Sequence, residues 1–326
     1  MRWRPVALAV LVAVAMGGAL MRVDSFPYDG RSDVTTRWGD ADPADSSSPA
    51  SAPPTLTARP VNVPVDGFLA WALLDRTTGH ITGSENLAAT NSVESMIKVW
   101  IVADFLRRTA EQGAQPAAER LAQASTAIRD SNNAAAQALY VLGGRDAVVN
   151  RMVAMCGLTE TAVGGPPQAQ YHGWWSYTQI SARDAVRLGE CIKNGTAAGP
   201  QWTSWLLTEM TQVRGTADPK DQQTPGQGGG RWGIIDGLPE SVLGQGPVGI
   251  KNGWTLLWAD GMWHVNCLAV ANGWILAVLM RYPHQLGLGF GAQVCKSVAE
   301  QLASPMPSTV PASPSGPPGS PPGTSR

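Results

Sequence analysis

Residues 263–282, WHVNCLAVANGWILAVLMRY, contain the clearest structural signal in the chain. Two largely apolar runs, Trp263 to Val270 and Trp274 to Tyr282, are separated only by Ala271-Asn272-Gly273. An Asn-Gly pair between two such runs is typical of a β-hairpin. The segment therefore predicts two neighbouring antiparallel strands late in the chain.

Strand patterns also occur elsewhere, and helical patterns fill the space between them. Phe68 to Leu74 and His80 to Gly83 flank a turn, and Val248 to Lys251 precedes the hairpin. Apolar residues recur at helical spacing in seven segments, namely 95–108, 117–128, 133–142, 147–155, 180–192, 202–210 and 291–303. This order predicts an α/β fold of the α+β type. It has an antiparallel sheet of about five strands from both chain ends, flanked by helices, with an inserted all-helical subdomain.

The two ends of the chain differ in composition from the middle. Arg2 and Arg4 precede the uncharged apolar run Pro5 to Met21, so residues 1–22 are expected to be a signal peptide or an N-terminal anchor. No cysteine lies directly after this run, which argues against a bacterial lipid anchor. Residues 23–60 have the composition of a disordered linker, and residues 304–326 that of a disordered Pro/Ser-rich tail. The folded domain is therefore expected at residues 61–303, exported, with a membrane tether if the first segment is retained.

Composition excludes several classes of function. The formal net charge is −1 and no block of like charge occurs, so we expect neither a nucleic-acid partner nor a polybasic membrane patch. The four histidines show no metal-binding spacing, and no metal or cofactor is expected. The G-x-G-x-x-G match at Gly228 to Gly233 follows a loop, so a dinucleotide site is not expected there.

The four cysteines fit an oxidising compartment. Their number is even and none forms a C-x-x-C pair, so three pairings are open. We favour Cys156–Cys191 and Cys267–Cys295, since the elements in each pair are expected to be neighbours. Four free, buried thiols are the alternative.

Ser95-Met96-Ile97-Lys98 is the first candidate for chemistry. Residues three apart at a helix start lie on one face, so the Ser95 hydroxyl can meet the Lys98 amine. A buried lysine with a lowered pKa can then act as a general base. Backbone N–H groups at the helix start can stabilise an oxyanion. The pattern is weak when it occurs alone.

Two further motifs follow in the chain. Ser131-Asn132-Asn133 lies between two helical segments and can direct a hydroxyl and an amide into a cleft. Taken singly, this triplet is better explained as an N-cap of the next helix. Lys251-Asn252-Gly253 ends an apolar strand, where the lysine can hold a carboxylate and the glycine admits a close backbone.

The ordered set Ser-x-x-Lys, Ser-x-Asn and Lys-x-Gly resembles the active-site motifs of class A β-lactamases and penicillin-binding enzymes. The resemblance covers roughly residues 66–300. It implies that Ser95 is acylated, with Lys98 as base or relay and Ser131 passing a proton to the leaving nitrogen. It also implies substrate binding by Asn133, Lys251, Asn252, Gly253 and Trp254, the oxyanion hole using the backbone N–H groups of Ser95 and Trp254. The substrates implied are β-lactams or D-alanyl peptides.

The sequence departs from that pattern in ways that bear on turnover. Asn252 stands where the family usually has Thr or Ser, and Asn132 where it usually has Asp. The loop from Val163 to Thr178 contains no carboxylate, whereas class A enzymes use a Glu there to activate the deacylating water. Glu160 precedes the loop in a context that does not suggest catalysis. We therefore expect a serine hydrolase whose acyl-enzyme is released slowly.

A catalytically lapsed binding module for cell-wall peptide or a partner protein is the alternative. The change at Asn252 and the carboxylate-free loop favour it, while the presence of every side chain needed for acylation opposes it.

Four tryptophans are expected to flank the cleft and could line it: Trp174, Trp175, Trp254 and Trp258.

Overall fold

The predicted hairpin forms the centre of a six-stranded antiparallel sheet. The computed structural model describes residues 55–164, 174–222 and 228–303. The expected signal peptide or anchor and the expected tail lie outside them. The strands are β1 (Phe68–Asp75), β2 (Ile81–Gly83), β5 (Gly249–Ile250), β6 (Gly253–Leu257), β7 (Met262–Val270) and β8 (Trp274–Pro283). Their order is β2-β1-β8-β7-β5, and β6 also pairs with β7.

The mixed architecture and antiparallel sheet confirm the predicted fold class, with two differences in the strands. Residues 253–257 form the sixth strand, β6, which the sequence pattern did not indicate. A separate two-stranded sheet joins β3 (Thr90–Ser92) to β4 (Gln179–Ser181), with Asn91 opposite Ile180. The predicted helix at 180–192 thus begins at Ala182, because Ser181 caps it by accepting a hydrogen bond from the Asp184 N–H at 3.0 Å.

Helices cover the sheet and form the inserted region. They are α1 (Lys98–Glu111), α2 (Ala118–Arg129), α3 (Asn133–Leu142), α4 (Asp146–Cys156), α5 (Ala182–Lys193), α6 (Thr203–Thr211), α7 (Pro219–Gln222), α8 (Glu240–Leu243) and α9 (Gly287–Ala303). Helices α5 and α9 both pack on β7 and β8. Residues 274–280 of β8 are all buried, which explains why that run lacks the polar alternation of a half-exposed strand. None of the described helices is long and apolar enough to cross a membrane.

The start of the chain's ordered packing lies before residue 61. Leu56 is buried in the core, and the Thr57 N–H donates to the Leu302 carbonyl at 2.9 Å. The Asn62 N–H also donates to the Gln301 side chain at 2.8 Å. The residues just after position 54 therefore pack against the end of α9.

Both favoured disulfides are present. Cys156 at the end of α4 bonds Cys191 in α5, and Cys267 in β7 bonds Cys295 in α9. Each bond joins two packed elements. Because such bonds persist in oxidising compartments, they indicate that the protein is extracytoplasmic.

Removing the Cys267–Cys295 bond is expected to destabilise the fold. The two residues are 28 positions apart, so the C267A/C295A variant should lose about 3–4 kcal/mol of unfolding free energy through added freedom of the unfolded chain. Urea unfolding followed by tryptophan fluorescence measures this loss. The wild type under reducing conditions serves as a comparison. An unchanged midpoint in the variant contradicts the prediction.

Candidate active site

Ser95 occupies a singular position at the start of α1. A single 3₁₀ turn, Glu94–Ile97, leads directly into that helix. From residue 91 to residue 104, Ser95 is the one residue that is not buried. Ser95 is therefore the point at which this buried segment reaches solvent.

Strand β6 begins against the backbone of this turn. A Cβ on Gly253 would stand 2.8 Å from the Ser95 nitrogen and 2.7 Å from the Met96 nitrogen. Only glycine allows that approach, so the residue type at 253 sets the distance between strand and turn. Trp254 then follows Gly253 beside the turn.

Lys98 is fully buried, and its amine contacts the Ser131 loop. Its Nζ donates to the Asn133 side-chain oxygen at 2.6 Å, to the Ser131 hydroxyl at 3.2 Å and to the Ser131 carbonyl. Burial, and secondly the charge of Lys251, lower the pKa of Lys98 well below its ordinary value, while Glu94 opposes the shift. A lysine in this setting is suited to act as a neutral amine base.

The three residues of Ser131-Asn132-Asn133 make different contacts. Asn132 is the N-cap of α3, and its side chain accepts from the Ala135 N–H at 2.9 Å. Ser131 has a positive φ of 54°, and both it and Asn133 contact Lys98. The capping explanation and the cleft explanation thus each describe part of the triplet.

Lys251 completes the polar set from the other side. It lies in the short interval between β5 and β6, fully buried, and its Nζ donates to the Ser131 hydroxyl at 2.9 Å. A second bond goes to the Asn252 carbonyl at 3.1 Å. Burial lowers the pKa of Lys251 to about 7. The Ser131 hydroxyl therefore lies between two lysine amines.

Asn252 has a different environment from its neighbours in the motif. It is 1% exposed, and its amide donates to the carbonyls of Gly230 and Trp232 at 3.0 and 2.8 Å. Arg214 connects the same segment to the Ser131 loop, because its carbonyl accepts from the Gly230 N–H and its guanidinium pairs with Asp130. The Asn252 side chain thus braces the strand against this segment.

Trp175 closes the site near the Lys98 amine. Its ring centroid is 5.0 Å from the Lys98 Nζ, and its indole N–H donates to Gln137 at 2.9 Å. Trp175 is 2% exposed, whereas Trp174, stacked on it at 5.7 Å, is 42% exposed. An apolar ring thus covers the base.

The other tryptophans named from the sequence are divided. Trp254 is half-buried and packs edge-on against Trp232 at 5.6 Å. Trp258 is 79% exposed near the turn between β6 and β7. Trp175 and Trp254 are therefore the two that belong with the residues around Ser95.

Glu160 is tied into the scaffold. It binds Arg183, Thr159 and the Ser181 hydroxyl. Burial alone would raise the pKa of Glu160, but these hydrogen bonds outweigh it and hold the pKa at about 2. A carboxylate held this way is a poor proton acceptor.

Glu94 is the polar residue of the site that the motif analysis did not single out. It is buried, directly precedes Ser95 and has a positive φ of 50°. The available signal was a carboxylate between Val93 and the apolar pair Met96 and Ile97. Within the described residues, no group of His, Cys, Asp and Glu could hold a metal ion.

Comparisons with known proteins agree with this fold. A family model described as "Beta-lactamase enzyme family" matches residues 112–216, which include Ser131 and Asn133 and exclude Ser95 and Lys251. The chain is 26% identical over 293 residues to "Putative lipoprotein LppW" of Mycobacterium tuberculosis, covering 82% of this chain and 87% of that protein. The same name and figures apply to a Mycobacterium bovis protein.

Solved β-lactamase structures share the architecture. A β-lactamase from Burkholderia vietnamiensis gives a TM-score of 0.54 at 16% identity, over 73% of this chain and 91% of that one. An "Ancestral (GNCA) Beta-lactamase class A" gives 0.52 at 17% identity, over 72% and 92%. At such identities the structures establish the fold and leave the activity to be argued from the site. The chain therefore has the fold of the β-lactamases, and its residues 112–216 match a β-lactamase family model.

Proposed function

We propose that the protein is an exported serine hydrolase that is acylated at Ser95 by β-lactams or D-alanyl peptides and releases the acyl group slowly. The observation that carries the proposal is the hydrogen-bonded set of Lys98, Ser131 and Lys251, together with a partly exposed Ser95 three residues before Lys98. Buried amines with lowered pKa values and a nucleophile in one place are the requirements of acyl transfer.

Acylation would follow from these positions. The Ser95 Oγ attacks the carbonyl carbon while its proton passes to the neutral Lys98 amine. The Ser131 hydroxyl, 3.2 Å from Lys98 and 2.9 Å from Lys251, gives its proton to the departing nitrogen and is reprotonated by Lys98. The carbon–nitrogen bond breaks, and the acyl group remains on Ser95 as an ester.

Two backbone amides are assigned to the oxyanion. The Ser95 N–H lies at the helix start, and the close approach at Gly253 brings Trp254 beside it. Such preorganised donors stabilise the charge that develops on the carbonyl oxygen during attack.

Lys251 is assigned to the substrate carboxylate. With a pKa of about 7, its amine is partly neutral in the free protein. A bound carboxylate favours the ammonium form, and a charged Lys251 keeps Lys98 neutral through repulsion. Binding of the substrate thus prepares the base. Asn252 is assigned to bracing the strand, because its amide is used by two backbone carbonyls.

Slow release is inferred from the surroundings of Lys98. The loop from Val163 to Thr178 has no carboxylate, and the Trp175 ring covers the amine. Hydrolysis of an ester needs a base beside the attacking water. None of the described residues that contact Lys98 can serve as this base, so Lys98 itself is the one amine left to activate the water.

Export is proposed from the apolar first segment together with the disulfides. Residues 1–22 would act as a signal peptide or as an anchor. If the segment is retained, the catalytic domain is tethered to the outer face of the membrane.

Intact-mass spectrometry tests the proposal. The wild-type protein, mixed with a benzylpenicillin solution, is expected to gain one penicilloyl mass that persists for many minutes. Ser95→Ala should gain none. Ser84→Ala, in the unrelated Ser84-Glu85-Asn86 turn, should behave as the wild type.

Other outcomes separate the alternatives. Loss of penicillin without an adduct contradicts slow release and supports an efficient β-lactamase. An inert Ser95 towards both penicillin and a D-alanyl-D-alanine thioester contradicts the enzyme proposal and favours a binding module. The carboxylate-free loop is the observation that keeps this second candidate.

A further inference from the structure

A chain of buried hydrogen bonds runs behind the nucleophile. The Asp260 carboxylate contacts His264 Nε2 at 2.8 Å, and His264 Nδ1 contacts the Ser92 hydroxyl at 2.7 Å. Ser92 donates to Glu94 Oε1 at 2.6 Å, and Thr255 donates to Glu94 Oε2 at 2.7 Å. All links are within hydrogen-bond distance, and Glu94 directly precedes Ser95.

The chain connects solvent to the core. The Asp260 side chain is 39% exposed, whereas His264, Ser92 and Glu94 are 5%, 3% and 1% exposed. A proton that reaches Glu94 therefore has a bonded route through Ser92 and His264 that ends at the surface. No step of the acylation described above uses these three buried groups.

Counting hydrogens gives the chain two forms. Ser92 has one hydroxyl hydrogen and two partners. If Glu94 is ionised, Ser92 donates to it, and both nitrogens of a charged His264 donate, one to Ser92 and one to Asp260. If the Nδ1 proton moves to Ser92 and the Ser92 hydrogen moves to Glu94, His264 becomes neutral and Glu94 becomes a carboxylic acid. The two hydrogen bonds at Ser92 survive with their directions reversed, while His264 Nε2 still donates to Asp260 and Thr255 still donates to Glu94.

Burial and neighbouring charges shift the pKa values of Glu94 and His264 in opposite directions. Burial raises the pKa of Glu94 to about 7, against hydrogen bonds from Ser92 and Thr255 and the charge of Lys98, and Asp260 adds to the rise. Burial also lowers the pKa of His264, with Asp260 opposing and the charge of Arg281 assisting. Both shifts favour the form in which Glu94 holds the proton and His264 is neutral.

Resting on the proposed function, we infer that Glu94 and His264 share one proton through Ser92, and that this proton sets the charge beside the Lys98 base. Glu94 is the anion that favours the charged form of Lys98. With Glu94 neutral, Lys98 is more readily a free amine that accepts the Ser95 proton. When Lys98 becomes charged, return of the shared proton to His264 restores a compensating carboxylate. Glu94 and His264 are thus positioning residues that act through Lys98.

Nitrogen-15 NMR of the imidazoles in the full-length protein tests the sharing directly. The chain has four histidines, so His264→Gln assigns the signal by difference. Glu94→Gln removes the acidic group at constant size, and is expected to lower the His264 pKa by about one pH unit. In a Ser92→Ala background, the same Glu94→Gln change should have much less effect, because the connecting hydroxyl is gone.

These measurements test the hydrogen-bonded proton chain and the proposed function separately. A His264 titration that ignores Glu94→Gln, or a shift equally large without Ser92, overturns the shared proton. The acylation rate is then followed against pH by stopped-flow with a chromogenic cephalosporin. We expect its acid limb to move to lower pH in Glu94→Gln, and an unmoved limb overturns the link to Lys98. Coupled NMR titrations in a protein that is never acylated contradict the proposed function while supporting the proton chain.

Discussion

The Lys98→Met variant is expected to be acylated about 10³-fold more slowly than the wild type, since a positioned general base contributes about 10²–10⁴ in rate. Methionine has nearly the length of lysine and suits a fully buried position. The variant keeps the packing and removes the amine. Stopped-flow or mass-spectrometric measurement of adduct formation gives the rate.

The pH dependence gives this prediction its sign. The base is the neutral amine, and burial followed by Lys251 lowers the pKa of Lys98. The wild-type rate should therefore rise with pH through that lowered pKa and fall at low pH, where the amine is protonated. Lys98→Met should lose this rising limb and leave a slow, pH-insensitive reaction.

Lys193→Met is the matched control. Lys193 begins the second Lys-Asn-Gly tripeptide, at the end of α5, and donates to Asn272 at 2.7 Å. It lies outside the polar set around Ser95, so its replacement should leave the rate and its pH dependence unchanged. Equal rates in Lys98→Met and the wild type would exclude Lys98 as the base.

Much of the fold could be predicted because periodicity and turn chemistry are local. The hairpin pairs from Met262 with Pro283 to Val270 with Ile275, as the run around Asn272-Gly273 indicates. Strand β6 was not predicted. It begins at Gly253, the last residue of the Lys251-Asn252-Gly253 motif, and its sequence does not alternate between apolar and polar side chains. The β3–β4 pair has three residues per strand, too few for a period to appear.

The candidate site, like the fold, could be predicted only in part. Spacing within a motif predicted that Ser95 and Lys98 share one region, and the resemblance of the ordered motifs to those of class A β-lactamases added Ser131 and Lys251. The sequence could not show that the Asn252 amide donates to two backbone carbonyls, those of residues 230 and 232. The link from Glu94 through Ser92 to His264 could not be predicted from the sequence. Ser92 and His264 are 172 positions apart, so their contact depends on how the strands pair.

Glu94, which the sequence did not predict, and Trp175, which it did, bear on opposite halves of the proposed reaction. In the proposed mechanism, Glu94 and its partners affect how readily Lys98 takes the Ser95 proton. Trp175 covers the same amine and bears on the later attack of water. A site with an assisted first step and a hindered second step favours a long-lived acyl-enzyme.

Replacing Trp175 by alanine is expected to shorten the lifetime of the penicilloyl adduct at least tenfold. The ring lies 5.0 Å from the Lys98 amine and is 2% exposed. Its removal leaves a cavity beside a polar amine, which can hold a water molecule within reach of a base. The same change should cost about 3–5 kcal/mol of unfolding free energy, the usual loss for a buried Trp.

Two variants separate hydration from general loosening. Trp175→Phe keeps an aromatic ring over Lys98 and removes only the indole bond to Gln137, so its adduct should remain long-lived. Trp174→Ala removes the exposed neighbour of the stacked pair and should change neither lifetime nor stability much. Time-resolved mass spectrometry after removal of free penicillin measures all three. If Trp175→Ala is destabilised as expected yet retains the wild-type lifetime, the ring does not control access of water. In that case the water reaches the exposed Lys98 amine but is not activated by it. Slow release is then explained by the absence of a carboxylate between Val163 and Thr178 alone.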